Sequence, residues 1–201
     1  MKQLFSTDGR LYKILNTGTI LLELNLLVLL GSLPLVTVGA SLTAMYTVLF
    51  KLRSHELGGL WATFWQAYRQ EWKKTIGLWL LLVASLAALF LLIWWIAVQV
   101  KASILVMVPL LLVLAMILLM SGYLFPLSAR YEAGIGQTLK NALTLSLQNV
   151  IESIVIFMLT VIITIYVPIF QWKLLFLWVF FGFSLTGYLQ CAMLERVFAQ
   201  Y

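Results

Sequence analysis

Charge is what this chain has least of. Of 201 residues only 10% are charged, 63% are hydrophobic, and the mean hydropathy is +1.04, too apolar for a fold that must keep a hydrated surface. Apolar stretches recur near residues 19–52, 76–98, 103–127, 150–170 and 174–194. Each is near or above the roughly 20 helical residues that cross about 30 Å of hydrocarbon. The segments between them are short, so a soluble domain is excluded and a single integral membrane domain is expected over residues 1–201, all-α and polytopic. Lys2, Arg10 and Lys13 precede the first apolar stretch, but no small-residue cleavage pattern closes a short apolar core, so that stretch is expected to be retained.

Reactive side chains are equally scarce. The chain has seven acidic residues, one histidine and one cysteine, which excludes an intramolecular disulfide. His55 adjoins Glu56, yet no HExxH, no CxxC, no Gly-x-Ser-x-Gly and no Gly-rich phosphate loop occurs. No catalytic residue, cofactor or metal ligand is therefore expected, and the chain does not read as an enzyme. The net charge of +6 is spread over the ends of apolar runs rather than along one stripe, which argues against nucleic acid as a partner.

What the few charges do reveal is topology. If residues 19–52 form one span, five helices cross and the 13 Lys and Arg divide five against eight. If the chain turns back at Pro34 to Gly39, six helices cross and the division becomes eleven against two, with only Lys101 and Lys173 outside. Because basic residues are retained in the cytoplasm, the six-crossing arrangement fits better, with both termini cytoplasmic and the turn outward. The five-crossing alternative keeps a kinked single span. Pro34 cannot donate a backbone hydrogen bond and disfavours helix at Leu33, Gly39 tolerates turn geometry, and Thr37 or Ser41 can cap the returning helix. That helix must begin near Val38 and run to about Ser54, or cross only part of the membrane.

Between the spans lie two amphipathic stretches. In residues 59–75, Trp61, Phe64, Trp65, Tyr68 and Trp72 share one helical face, opposite Gln66, Arg69, Gln70 and Lys73. Such a helix is expected to lie in the cytoplasmic interface, rings at headgroup level and cations toward anionic lipid. Residues 134–149 are a weaker copy. Trp65 to Tyr68 and Lys140 to Leu143 stand 75 residues apart, as do Ile76 and Ile151, which suggests a parallel repeat of 38–98 and 103–170.

Polar residues at membrane depth are the remaining candidates. Glu23 with Asn25, and Glu152, lie within about two turns of the cytoplasmic ends, so two readings stand. Ion pairs with Arg53, Arg130 or Arg196, or contact with interfacial water, would be structural; an exposed intramembrane acid would serve a substrate or proton. Gly182, Thr186 and Gln190 recur at intervals of four, which reads as close helix packing or as a polar pathway. Cys191 beside them reads as a small buried residue.

The run LPLVTVGASLTAMYTVLFKLR (33–53), the helix FWQAYRQEWKKT (64–75) and the segment LKNAL (139–143) resemble the YesL-like bacterial membrane proteins over nearly the whole chain. Pro34, Thr37, Gly39, Ala40 and Ser41 carry the resemblance most specifically; at Glu71 and Trp72, where relatives often have Asn-Phe, the chain departs from it. The resemblance implies a Gram-positive plasma-membrane protein associated with sugar-importing ABC transporters. The expected role is a non-enzymatic accessory to carbohydrate uptake, touching lipid, ABC permease subunits or a second copy of itself. The alternative is a small transporter in its own right.

Overall fold

In a computed structural model, residues 10–100 and 104–199 are described. Lys2, Lys101 and Ala102 lie outside them, as do both chain ends. The described residues are mostly helical, with no strand among them, and six helices are long and apolar enough to cross a membrane.

Helix α1 (Arg10–Gly31) buries Leu21, Leu24, Leu27 and Val28, the i, i+3, i+4 pattern of a one-sided helix. It ends where Pro34, in extended geometry, takes the chain out of the helical region. A single 3₁₀ turn, Leu35–Thr37, then leads into α2 (Val38–Arg53). The chain therefore turns at Pro34, and the kinked single span is removed.

Thr37 does not cap the helix it precedes. Its hydroxyl lies 2.8 Å from Gly31 O and 2.7 Å from Pro34 O. In so tight a turn the orphan carbonyls at the end of α1 are nearer than the first amides of α2. Ser41 lies inside α2 and is not a cap either.

Helix α2 packs against α1, α3, α4 and α8. Its 16 residues include Gly39, Ala40, Ser41 and Ala44, small enough for neighbouring backbones to come close, and most of its length is buried. A Cβ at Gly39 would stand 2.5 Å from Thr75 O on α3, so only glycine admits this approach. The helix closes on His55, which has φ 61°. Glu56 N donates to Lys51 O and His55 N to Leu52 O, the paired bonds of a left-handed helix terminus in which glycine is usual.

Helix α3 (Leu60–Trp95) runs unbroken for 36 residues, about 54 Å. The amphipathic stretch 59–75 and the following span were expected as separate helices; they are one. Nothing between Lys73 and Ile76 stops a helix, and both segments keep the same 3.6-residue period. A π-helical turn, Ile96–Val100, follows. Helix α4 (Ile104–Arg130) returns, and α5 (Ile135–Gln148) stands apart as the second amphipathic helix. Helix α6 (Val150–Thr160) continues through a π-helical stretch, Val161–Tyr166, into α7 (Val167–Phe170); α8 (Leu175–Phe198) completes the bundle.

Candidate functional site

Three polar arrangements stand inside this apolar bundle. The first centres on Gln190 of α8, which is buried. Its Oε1 accepts a hydrogen bond from the Tyr46 hydroxyl of α2. Its Nε2 donates to Ile156 O at 3.1 Å and to Thr160 Oγ1 at 2.7 Å on α6. One amide thereby ties three helices together, and both of its ends are satisfied.

Beside it lies a cavity of about 290 Å³, walled mostly by apolar side chains of α2, α3, α4, α8 and the α6 stretch. Thr186, Ser121 and Thr160 also line it, but each hydroxyl bonds back to its own helix: Thr186 to Gly182 O at 2.7 Å, Ser121 to Leu118 O at 2.6 Å and Thr160 to Ile156 O at 2.9 Å. Thr164 also lines the space, from the π-helical stretch. Small residues set the packing around it: a Cβ on Gly187 would stand 2.7 Å from Met45 Cε, and one on Gly122 would stand 2.9 Å from Ile156 Cγ2.

The second arrangement is a clamp between the first and last helices. Asn25 is fully buried. Its Nδ2 donates to Val179 O at 2.8 Å, while its Oδ1 accepts from Phe183 N at 2.8 Å and Ser184 N at 2.9 Å. The side chain thus binds into the backbone ladder of α8, where a carbonyl and the amides four and five residues on lie close together.

The third is the joint between α5 and α6. Asn149 leaves helical geometry at φ −119° and ψ 58°. Buried Ser153 fills the break, its Oγ within 3.0 Å of both Tyr123 Oη and Ser146 O and 2.7 Å from Asn149 O. Sequence reasoning singled out Glu152 and missed its neighbour Ser153, which is the residue that faces inward.

The expected ion pairs of Glu23 and Glu152 are not formed. Arg53 pairs instead with Glu195, Nη2 to Oε2 at 2.9 Å. Arg130 lies over Phe50, Tyr131 and Phe198 at 5.5–6.0 Å. Glu23 is exposed on the outer face of α1 and Glu152 is half-buried. The reason is register: Glu195, near the end of α8, comes level with Arg53 at the end of α2. No spacing within one helix reveals that neighbour.

Of the aromatic face, Phe64 is fully buried, Trp65 and Tyr68 are half-buried, and Trp61 and Trp72 are exposed. Phe64 stacks on Tyr68 and Trp65 meets both rings edge-on, with centroids 5.3–6.2 Å apart. Tyr68 and Phe64 also approach Gly31 of α1. The middle of this face therefore packs inward and its two ends face outward. Cys191 is buried and free. Among the described residues no group of three or more His, Cys, Asp or Glu could hold a metal ion.

Residues 21–98 match the model of a family described as a protein of unknown function, DUF624. No curated protein and no solved structure matches the chain. The match takes in Asn25, the turn at Pro34, α2 and all of α3. What is similar to that family is thus the hairpin and the long helix it leans on, in a protein built of membrane-competent helices.

Proposed function

We propose that this is a non-enzymatic plasma-membrane protein that works by contact, as an accessory component of carbohydrate uptake beside an ABC-type sugar importer, with both termini cytoplasmic. The observation that carries the non-transporting part of this reading is the saturation of Gln190. Its bonds go to Tyr46, Ile156 and Thr160, and the nearby hydroxyls of Thr186 and Ser121 are turned back on their helices. A sugar requires free donors and acceptors along its path, because each polar group it brings must be paired when it leaves water. The association with sugar import is supported by the resemblance to YesL-like proteins.

Mild-detergent affinity purification from the native host tests the proposal. A sugar permease recovered in stoichiometric amount agrees with it; a pure homo-oligomer that transports after reconstitution replaces it with the small-transporter reading. That second reading is favoured by the cavity of about 290 Å³ and by Thr164 on its wall.

A further inference from the structure

Three of the apolar spans, Leu35–Arg53, Val106–Arg130 and Trp172–Phe198, finish at one end of the bundle. Their last turns surround an open cavity of about 600 Å³ whose charged walls are Lys51, Arg53, Glu56, Arg130 and Glu195. Arg53 and Glu195 are joined by an ion pair of 2.9 Å, and Glu56 Oε2 accepts from Ser54 Oγ at 3.2 Å. Lys51 and Arg130 are exposed and, among the described residues, pair with no carboxylate.

Arg130 is nevertheless held in place. Its guanidinium carbon lies 5.8 Å from the ring centre of Phe50, 6.0 Å from that of Tyr131 and 5.5 Å from that of Phe198. Those rings pack on one another as well, Phe50 against Phe198 at 6.3 Å and Tyr131 against Phe198 at 6.0 Å. A ring attracts the cation but offers no lone pair, so the N–H fork stays open to an oxyanion. A side chain already held in this way loses less freedom when a ligand arrives.

The charges in the cavity choose among oxyanions. Arg53 and Glu195 cancel, and Glu56 offsets one of Lys51 and Arg130, so a single positive charge is left over. A phosphate monoester brings about −1.5 to −2 at neutral pH, more than the cavity can balance. A phosphodiester brings one negative charge and balances it. Location chooses the source, since the ends of membrane-competent spans lie at the depth of lipid headgroups, where basic pockets between helices hold anionic lipid.

We propose that Lys51 and Arg130 form a binding site for the phosphodiester of an anionic glycerophospholipid. The guanidinium fork of Arg130 takes two phosphate oxygens, and Lys51 supplies the second, less directional charge. Arg53 holds Glu195 and so keeps that carboxylate from repelling the lipid.

Purified protein in detergent, titrated with phosphatidylglycerol or with phosphatidylcholine and followed by native mass spectrometry, tests this. The wild type is expected to hold phosphatidylglycerol at least about tenfold more tightly, the factor that one charge-assisted contact supplies, and Arg130→Gln to lose that preference. Arg130→Lys should restore only part of it, because an ammonium is no fork; full restoration would overturn the two-oxygen contact. Lys51→Gln should weaken binding several-fold, and as an exposed side chain without a carboxylate partner it carries the test even if the Arg130 variants unfold. Arg69→Gln, which removes an exposed cation of α3, is the control and should leave the preference intact. No preference in the wild type, a preference that survives Arg130→Gln and Lys51→Gln, or an equal loss in Arg69→Gln overturns the site. Millimolar inorganic phosphate should not displace the lipid; displacement would make free phosphate the ligand and overturn the assignment to lipid.

Discussion

Helix α3 and the α5–α6 pair begin from similar sequence and end as different objects. Each follows a span, opens with an amphipathic stretch and continues into an apolar one. In the first the two stretches fuse into one rod; in the second they part at Asn149. The difference lies in a few atoms. At the first junction Thr75 turns its hydroxyl back to Glu71 O at 2.9 Å and leaves the helix intact. At the second, Asn149 adopts a non-helical conformation and Ser153 and Tyr123 fill the gap. Composition sets what each stretch can bury; the residue at the junction decides whether they stay collinear.

The largest effect should come from breaking the rod. Ile76→Pro removes an interior helical bond and clashes with the preceding turn, at about 3 kcal/mol or more. It also swings Trp79 away from Leu35 O. Val150→Pro, at the first position of α6, should cost under about 1 kcal/mol, because that amide has no intrahelical partner to lose. Paired unfolding curves in detergent decide this, and equal losses would mean that the two junctions do not differ.

Next comes the filled break itself. Ser153→Ala leaves Tyr123 Oη without its bond and the break unfilled, for about 1–2 kcal/mol. If Tyr123→Phe in the Ser153→Ala background costs as much as in wild type, the pair does not interact and the joint is held by packing alone.

The entrances to the two regions can be compared as well. His55 holds a left-handed conformation at the end of α2, a position that costs an L-residue roughly 1–2 kcal/mol. His55→Gly should therefore raise stability, by about 0.5–1 kcal/mol once the greater freedom of glycine in the unfolded chain is counted. A lower melting temperature would show that the imidazole makes a compensating contact.

The smallest effect is expected at Thr75. Its hydroxyl only bonds back along α3, so Thr75→Ala should change stability by less than about 0.5 kcal/mol. A loss as large as that of Ser153→Ala would erase the contrast between the junctions.

Much of the architecture was legible because membrane helices advertise themselves by length. The turn at Pro34 could be read too, since proline and the distribution of thirteen basic residues point the same way. The continuity of α3 could not, because an amphipathic segment and an apolar one share a helical period and no breaker separates Lys74 from Ile76. Thr186 and Gln190 were visible through their spacing of four. Their surroundings were not: Tyr46 and Thr160 are distant in sequence and look like ordinary members of apolar runs. Asn25 was noticed only as the neighbour of Glu23, yet the amide is the buried, triply bonded group and the carboxylate faces outward. Residue type announces that a group is polar; only packing decides which way it points.

The clamp at Asn25 also places a constraint on time. Its partner Val179 lies 154 residues further along the chain, which at about 5–20 residues per second is roughly 8–30 s of synthesis. Through that interval an amide on the first helix has none of its final partners, and hydrocarbon offers no substitute. Insertion of the last helix is therefore the step that completes the first. A nascent chain halted before α8 leaves Tyr46 and Arg53 without their partners as well, but Asn25 has waited longest, which makes it a built-in report on whether synthesis has passed α8.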